Sequence, residues 1–263
     1  MYAFEYHRPA SLDEAAALLT SDEIKLLAGG QTLIPTLKQR LAMPEALVDL
    51  GRIEALKGIR REGQAIFIGA GTTHAEVVAS DVIKQAIPAL TYLVSRVGDA
   101  QVRNRGTIGG SIANADPAAD YPAAVVGLGA TIHTNRRTIA GDDYFQDLFT
   151  TALEEGEIIT AISFPIPQAA AYEKCANPAS GYAVVGVMVA RTGDGVRVGV
   201  TGAGPCAFRA TAIEQALAGS FTPDAAKAVT MPVDRLNDDM HASADYRAAL
   251  ISVLAARAVA AMG

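Results

Sequence analysis

A pair of glycines between an apolar run and a helical pattern is the feature that most constrains the fold of this chain. Residues 28–32 have the sequence Ala-Gly-Gly-Gln-Thr. Ile24–Leu27 before them is typical of a short buried strand, and 33–42 after them places apolar residues on one helical face. Such a strand-to-helix turn directs free backbone N–H groups and the positive end of a helix dipole at the space above it. Glycines would let a diphosphate approach the main chain there, whereas a plain tight turn is the simpler interpretation of this segment alone.

A second double-glycine loop lies further along the chain. Residues 105–111 have the sequence Arg-Gly-Thr-Ile-Gly-Gly-Ser, and they lead into Ile-Ala-Asn-Ala-Asp-Pro. Two such loops could hold one extended dinucleotide from both sides. Neither loop has the G-x-G-x-x-G pattern of a Rossmann domain or the Gly-Lys-Ser/Thr ending of a phosphate-binding loop. The sequence therefore argues against a Rossmann domain and against a nucleotide triphosphatase.

The overall composition indicates a globular chain without a nucleic-acid partner. Half of the 263 residues are hydrophobic, which is enough to bury the cores of two or three small domains. The net charge is −6, with acidic and basic residues interspersed, so that no basic run suggests nucleic-acid binding. The longest apolar runs are too short for a transmembrane segment, and residues 1–10 lack the features of a secretory signal. We therefore expect a cytoplasmic location.

The chain shows no metal-binding or catalytic constellation of its own. Cys175 and Cys206 are far apart and outside any C-x-x-C pattern, so they indicate neither an iron–sulfur cluster nor a disulfide framework. No Ser/His/Asp set and no pair of catalytic carboxylates is evident. The histidines have no metal-ligand spacing, and each is expected to be hydrogen-bonded or solvated: His7, His74, His133 and His241.

The first half of the sequence predicts a small α/β unit followed by a mixed region. Ser11 and Glu14 have the spacing of a capping box that opens the first helix. In residues 1–53 we expect strands at Ile24–Leu27 and 46–50 and helices at 12–19 and 33–42. In residues 54–140 we expect hairpin strands at 56–59 and 65–68, helices at 75–79, 82–97 and Tyr121–Leu128, and strands at 130–134 and 137–140.

The second half predicts a strand at 158–164 and then a domain boundary in the proline- and alanine-rich residues 165–171. Residues 193–195, Gly-Asp-Gly, are a strong hairpin signal between strands at 182–191 and 196–201. Helices are expected at 208–217, 223–229 and 245–262. The last of these has an apolar stripe that would pack on its own sheet or on a partner chain: Tyr246, Leu250, Leu254 and Ala258.

Together these segments resemble a known family, the FAD-binding medium subunits of molybdenum hydroxylases. This group includes the medium subunit of carbon monoxide dehydrogenase and the FAD domain of xanthine dehydrogenase. The resemblance covers essentially the whole chain, and its most specific motif is Thr-Ile-Gly-Gly with the Ala-Asp-Pro that follows it. The matching segments are 28–32, 69–73 (Gly-Ala-Gly-Thr-Thr), 102–117 with Asp120, 172–174 (Tyr-Glu-Lys), 179–186 and 241–247.

The resemblance implies an α+β fold in two domains. Residues 1–168 would form a two-part FAD-binding domain of the vanillyl-alcohol oxidase (PCMH) type, with subdomains of about 1–53 and 54–168. Residues 169–263 would form a smaller C-terminal α/β domain of the type found in carbon monoxide dehydrogenase flavoproteins, a sheet covered by helices.

The resemblance also implies a set of FAD contacts. The diphosphate would bind to 28–32 and 107–110, where backbone donors on two loops could spread its negative charge. The residues that match contacts in the family are Lys25, Leu26, Leu27, Ala28, Gly29, Gly30, Gln31, Thr32, Ala70, Val102, Gly106, Thr107, Gly109, Gly110, Ser111, Ala113, Asn114, Asp120, Ile159, Lys174 and Tyr182.

Several of these residues have a second, structural interpretation. Asp120 would accept hydrogen bonds from sugar hydroxyls, or cap the helix that follows it, or do both. Lys174 would stabilise negative charge on the reduced flavin, or it would be a surface lysine at a strand edge. Tyr182 would pack beside the flavin ring or within the core. Lys25 would contact the cofactor, or it would be a solvated lysine at the end of a strand. Ser111 and Asn114 would contact the cofactor, or they would form hydrogen bonds to the loop backbone.

The function that the resemblance implies is electron transfer within an oxidoreductase. A large partner subunit with a molybdenum–pterin cofactor would oxidise a small substrate. A small partner subunit with two [2Fe–2S] clusters would pass the electrons to FAD on this chain, and the FAD would pass them to an external acceptor such as NAD, a quinone or oxygen. The complex would be a dimer of heterotrimers. The alternatives are a stand-alone FAD-dependent oxidase or reductase on the same fold, and an assembly protein without the flavin.

Overall fold

The computed structural model describes residues 1–263 and contains four separate β-sheets. The α-helices are α1 Leu12–Leu18, α2 Leu33–Lys38, α3 His74–Ala79, α4 Asp81–Ala86, α5 Pro88–Ser95, α6 Ala100–Arg103, α7 Ile108–Asn114, α8 Tyr121–Leu128, α9 Gly141–Tyr144, α10 Thr211–Gly219, α11 Pro223–Lys227 and α12 Ala244–Ala260. The strands are β1 Glu5–His7, β2 Ile24–Leu27, β3 Ala46–Asp49, β4 Ile59–Glu62, β5 Ala65–Gly69, β6 Thr131–Thr134, β7 Thr138–Ala140, β8 Phe145–Asp147, β9 Thr150–Thr151, β10 Ile159–Pro165, β11 Ala169–Ala176, β12 Ala183–Thr192, β13 Gly195–Thr201 and β14 Phe208–Arg209. Short 3₁₀ helices span Leu50–Arg52 and Glu54–Leu56.

The first sheet is parallel, with the order β1-β3-β2, and α1 and α2 complete its unit. The predicted strand Ile24–Leu27 is confirmed, whereas β1 was not predicted because its residues are largely exposed. Helix α2 ends at Lys38 rather than at residue 42. Arg40 has φ 61°, in the left-handed region that ends a helix, and Leu41 is 74% exposed, so the apolar pattern there does not mark a buried face.

The second sheet is antiparallel, with the order β4-β5-β10-β6-β7. The predicted first hairpin strand, 56–59, is wrong, because β4 spans Ile59–Glu62 and the turn lies at residues 63–64. Leu56 belongs to the 3₁₀ helix Glu54–Leu56 and is buried there, so its apolar side chain does not mark a strand. Strand β4 itself is a charged edge strand, and an edge strand lacks the apolar pattern that would reveal it.

The single helix predicted at 82–97 is two helices, α4 and α5. Ile87 between them has φ −140° and ψ 70°, outside the helical region, and Pro88 is the first residue of α5. A proline restricts the residue before it to extended conformations and cannot donate a helical hydrogen bond, so the chain has to restart at residue 88. By contrast, α8 spans Tyr121–Leu128 as predicted, and all of its residues are buried.

The third sheet is antiparallel, with the order β11-β12-β13-β14, and α10, α11 and α12 follow or cover it. The hairpin between β12 and β13 is confirmed, since Thr192 pairs with Gly195 across residues 193–194. The helix predicted from residue 208 is wrong at its start, because Phe208 pairs with Val200 in β14 and α10 begins at Thr211. Strand β11 was not predicted, and it begins inside the expected boundary segment.

Helix α12 buries most of the predicted stripe, since Leu254 and Ala258 are buried and Leu250 packs against the same core. Tyr246 is 52% exposed, whereas Ile251, Ala255 and Val259 are buried with Leu254 in the core. Every fourth residue advances 400° around a helix, so a row with this spacing drifts by about 40° at each step, and its first residue, Tyr246, lies off the buried face that its later residues reach.

Helix α8 joins the first two-thirds of the chain to the third sheet. A Cβ at Gly199 of β13 would lie 2.3 Å from the carbonyl oxygen of Ala123, so only glycine lets the strand approach the helix this closely. The two faces of β12 then pack into different clusters, in keeping with the two-residue period of a strand. Met188 and Ala190 belong to the larger cluster around α8, whereas Val187 and Val189 pack towards α10 and α12.

No helix has the length and apolar character that a membrane span requires.

Candidate functional site

A single long cleft brings the predicted site residues together. Its volume is about 1220 Å³, which exceeds the range of roughly 300–1,000 Å³ for pockets that hold drug-sized ligands and suits an extended ligand. Its walls come from the turn between β2 and α2, the segment from α3 to α8, the segment between β8 and β10, and the loop before β12. All the predicted residues line this cleft except Leu27 and Lys174.

The two glycine loops touch each other at Gly29. A Cβ at this position would lie 2.1 Å from the carbonyl oxygen of Arg105, which is closer than any side-chain atom can come. Gly30 has φ 73° and would meet Ile34 at 2.9 Å. Both glycines are therefore required by the fold, Gly29 for its contact with the second loop and Gly30 for its backbone conformation.

The first loop has free backbone donors that face the cleft. The N–H groups of Gly29, Gly30, Gln31 and Thr32 donate to no backbone carbonyl of the chain. The hydroxyl of Thr32 does not cap the helix α2 that follows it. These residues all line the cleft, and a row of unpaired N–H groups is the donor set that binds a phosphate group without a salt bridge.

The second loop differs from our expectation, because three of the four backbone donors in residues 107–110 are used within the fold. Ile108 donates to the Thr72 carbonyl at 3.1 Å, and Gly109 donates to the Ala70 carbonyl at 2.9 Å. Gly110 donates to the hydroxyl of Thr107 at 3.1 Å, which caps α7. The glycines here give room for close packing on the strand end at residue 70, since a Cβ at Gly109 would lie 2.6 Å from the Ala70 Cβ.

The free polar groups of the second loop are side chains. Ser111 and Asn114 line the cleft, and neither side chain forms a hydrogen bond within the chain. The alternative that they satisfy loop backbone is therefore excluded. A hydroxyl and a carboxamide together offer donors and acceptors, which suits contacts to ligand hydroxyls or phosphate oxygens.

Asp120 is a buried carboxylate at the cleft wall. Its side chain is 5% exposed, and it stands directly before α8. The Tyr172 hydroxyl donates to its Oδ1 at 2.6 Å, and the Lys174 ammonium lies 2.9 Å from Oδ1 and 3.0 Å from Oδ2. The carboxylate does not cap α8, so the structural alternative for Asp120 is wrong.

Burial of the Asp120 carboxyl and the groups bonded to it shift its pKa in opposite directions. Burial raises its pKa above the ordinary value, while the charge of Lys174, the Tyr172 hydroxyl and the more distant charge of Arg96 oppose that rise. The pKa of the Tyr172 phenol is raised well above its ordinary value, by burial first and by the neighbouring carboxylate second. The phenol therefore stays protonated and can only donate to Asp120.

Lys174 is neither the surface lysine of the structural alternative nor a lining residue of the cleft. Its side chain is 3% exposed, and its ammonium also donates to the carbonyl of Arg96 at 3.1 Å. It faces the cleft only through Asp120. Lys25, by contrast, is exposed and lines the cleft.

Tyr182 lies at the cleft wall with 47% of its surface exposed, so it is not a core aromatic. The turn before β12 positions it, with Gly181 in the left-handed region at φ 74° and the Tyr182 carbonyl accepting from the Asn177 N–H at 2.8 Å. Burial of part of the ring raises the pKa of the phenol, and the charges of Asp116 and Asp120 raise it further.

Sequence reasoning missed His74, which lines the cleft at the start of α3. It was expected to be hydrogen-bonded or solvated, but it is 4% exposed and its Nδ1 has no partner. Burial lowers its pKa to about 4, and the charge of Arg103 acts in the same direction, so the ring is neutral at pH 7. Its position directly after the Gly-Ala-Gly-Thr-Thr motif was the signal that could have found it. Arg96, Phe149 and Leu153 also line the cleft and were not predicted.

Comparison with known proteins identifies the family. Residues 2–167 match the family model described as the FAD binding domain in molybdopterin dehydrogenase. The chain belongs to this family. Two similar members are carbon monoxide dehydrogenase medium chains. That of Hydrogenophaga pseudoflava is 36% identical over 97% of this chain and 96% of its own length. That of Afipia carboxidovorans is 37% identical over 98% of this chain and 96% of its own length.

A solved structure from the same family agrees with the fold. The structure of carbon monoxide dehydrogenase from Hydrogenophaga pseudoflava, which lacks the Mo-pyranopterin moiety of its molybdenum cofactor, contains a chain that matches this one with a TM-score of 0.90 and 37% identity. The match covers 99% of this chain and 97% of that chain. The expected fold class, the assignment to FAD-binding medium subunits and the oxidoreductase class are thereby confirmed.

Proposed function

We propose that this chain is the electron-transfer subunit of a multi-subunit molybdenum hydroxylase and binds the FAD through which electrons leave the complex. The observation that carries the proposal is the row of free backbone donors at residues 29–32, which faces a cleft of about 1220 Å³. A phosphate-bearing cofactor satisfies these donors, and the chain has no catalytic constellation for a substrate of its own. The cofactor would supply the redox chemistry, accepting electrons and passing them on.

The residues present fit the polar groups of FAD. The N–H groups of 29–32 would hold the diphosphate, and the closely packed glycines keep side chains out of its way. Ser111 and Asn114 would bond to hydroxyls or phosphate oxygens, and the acceptor-only carboxylate of Asp120 would take a hydrogen bond from a hydroxyl. Tyr182 would cover one side of the flavin ring, because it is one of two half-exposed aromatic residues at the cleft wall, the other being Phe149.

Three further predicted residues, Leu27, Lys174 and Lys25, act on FAD in less direct ways under this proposal. Leu27 packs beneath the first loop, where its Cδ1 would lie 3.2 Å from a Cβ at Gly30. Lys174 would act on the flavin through Asp120, to which it is bound. Lys25 at the mouth of the cleft would meet a negatively charged part of the cofactor.

The division of labour between subunits is also part of the proposal. Similar proteins are named medium chains, a name that supports the presence of a large and a small partner chain. The molybdenum–pterin cofactor and the two [2Fe–2S] clusters would be bound by those partners, since the two cysteines of this chain, Cys175 and Cys206, are too few to hold a cluster. The complex would be a dimer of heterotrimers, with an external electron acceptor.

We further propose a division into domains at residues 1–168 and 169–263. The two sheets on either side of this point share no strand, which supports the division. One core cluster lies wholly within residues 171–259, between the third sheet and the helices α10 and α12. The larger cluster crosses the boundary at Tyr172 and Met188, so the two domains would be held together by a shared apolar interface.

The experiment is a gentle co-purification of the full chain from its native source, with an absorption spectrum and an analysis of metals and associated chains. We expect a flavin spectrum from this chain, together with molybdenum and iron–sulfur absorbance on two companion chains. A yellow homomer that turns over a substrate unaided would contradict the proposal and support a stand-alone flavoenzyme. A colourless protein that does not take up added FAD would contradict FAD binding itself.

A further inference from the structure

Asp120 is held from behind by two side chains that come from one strand. Tyr172 and Lys174 are two residues apart on β11, and alternate residues of a strand point to the same face. The phenol reaches Oδ1 at 2.6 Å, and the ammonium reaches both carboxylate oxygens. Strand β11 lies beyond residue 168, whereas Asp120 lies before it, so this network joins the two halves of the chain.

The position of the Tyr172 phenol depends on a glycine in the neighbouring strand. Gly186 of β12 pairs with Lys174, and a Cβ at Gly186 would lie 2.3 Å from the Tyr172 hydroxyl oxygen. The Tyr172 phenol therefore occupies the space that a side chain at residue 186 would need. Any larger residue there would move the hydroxyl away from Asp120.

We propose that Tyr172 is a positioning residue for the cofactor site, which keeps the Asp120 carboxylate ionised and oriented to accept a hydrogen bond from a hydroxyl of FAD. A carboxylate has about four acceptor positions. Tyr172 and Lys174 occupy some of these positions without lining the cleft, whereas Asp120 itself lines it. This inference rests on the proposed function, because it takes FAD as the ligand.

A buried carboxylate needs such donors to remain charged. Burial raises the pKa of Asp120, and Lys174 and Tyr172 oppose that rise, with Arg96 as a further positive charge. The titratable groups nearby on the cleft side are Tyr182 and Asp116. Loss of the phenol hydroxyl removes one opposing contribution and moves the pKa of Asp120 further upwards, so that the carboxyl is protonated over a wider range of pH.

The test is titration of the full-length apoprotein with FAD across a range of pH, for the wild type and for Tyr172→Phe. We expect Tyr172→Phe to weaken FAD binding about tenfold at neutral pH, since hydrogen bonds to charged groups are typically of this strength. The affinity should fall as the pH is lowered, and in the variant this fall should begin at a higher pH. The control is Tyr246→Phe, which removes a phenol hydroxyl at an exposed position outside the cleft.

Two further variants separate positioning from a general loss of structure. Gly186→Ala keeps the phenol but displaces its hydroxyl, and it should reproduce the shift of the pH profile even if Tyr172→Phe does not fold. In an Asp120→Asn background, Tyr172→Phe should cause no additional loss of affinity, because the carboxylate that it positions is gone.

The outcomes distinguish this inference from the proposed function. If the wild type binds FAD and Tyr172→Phe or Gly186→Ala has an unchanged affinity and pH profile, the positioning role is overturned and the proposed function stands. If Tyr172→Phe weakens FAD binding equally in the wild-type and the Asp120→Asn backgrounds, the positioning role is also overturned, because Tyr172 would then act on the fold in general. If the wild type does not bind FAD, the proposed function and this inference fail together.

Discussion

Gly29 and Arg105 lie 76 positions apart in sequence, yet a Cβ on the glycine would stand 2.1 Å from the arginine carbonyl oxygen. This contact places the first glycine loop against the second one. Because the two loops touch, the free N–H groups of the first and the free side chains of the second face the same cleft. The candidate site therefore depends on a backbone contact between loops as much as on the polar groups that line the cleft.

We expect Gly29→Ala to separate the loops and to weaken FAD binding by at least tenfold. The carbonyl of Arg105 belongs to the backbone and cannot move aside cheaply, so the variant should also unfold at a lower temperature. FAD titration and thermal unfolding of the apoprotein measure the two effects. Gly193→Ala is the matched control, since a Cβ there meets nothing within 4 Å. Unchanged binding in Gly29→Ala would show that the loop contact is dispensable.

Ser111→Ala and Asn114→Ala are expected to affect binding without affecting stability. Neither side chain bonds within the chain, so its removal costs the apoprotein no hydrogen bond. Each variant should weaken FAD binding by roughly 2- to 10-fold, the usual range for one hydrogen bond. Flavin fluorescence titration measures the affinity, and Ser21→Ala is the control, since this side chain lies outside the cleft and also forms no hydrogen bond within the chain. A lowered unfolding temperature with unchanged affinity would assign the two side chains to the fold instead.

Glu157 should make the stability of the protein depend on pH. Hydrogen bonds from Arg137, followed by those from Glu154 N–H and Thr134, outweigh burial and lower the pKa of Glu157 to about 2 from an ordinary 4.5. The stabilisation is therefore present above pH 4.5 and is lost as the pH falls towards 2. Glu157→Gln should lower the unfolding temperature by a few degrees at pH 7, and the difference from wild type should shrink on acidification. The exposed Glu155→Gln is the control, and a difference that does not vary with pH would contradict the ion-pair explanation.

Gly199→Ala should destabilise the junction between α8 and the third sheet. A Cβ there would meet the Ala123 carbonyl oxygen at 2.3 Å and the Gly127 nitrogen at 2.5 Å, both of which are backbone atoms. Overpacking of this kind costs about 2–4 kcal/mol in the free energy of unfolding. Urea denaturation of the apoprotein measures the loss, with Gly219→Ala as the control because it faces open space. An unchanged midpoint would show that strand and helix can separate at little cost.

The fold was predictable where local signals were strong. The strand Ile24–Leu27, the helix Tyr121–Leu128 and the hairpin at 193–194 all follow from apolar runs or turn residues that act over a few positions. The errors fall where burial depends on distant partners. Charged edge strand β4 has no apolar pattern, and Leu56 is buried outside any strand.

The candidate site was predictable as a set of residues but not as an arrangement. The two loops were recognisable from their paired glycines, and nearly all of the expected residues line one cleft. The sequence did not reveal that two donors of the second loop, at Ile108 and Gly109, already bond to Thr72 and Ala70, since those hydrogen bonds join separate segments. Nor did it reveal His74, whose burial results from packing against Tyr121 and Gly106.

Sequence alone determined the two glycine loops, because they are a property of residue type and spacing. It also gave the family resemblance, which implied a carboxylate, a lysine and a tyrosine for the candidate site. Only the tertiary structure decided what these groups do. Asp120 comes from one half of the chain, and Tyr172 and Lys174 come from the other, so their hydrogen bonds exist only after the third sheet packs on α8. Burial then makes this network electrostatically strong, since water no longer screens it.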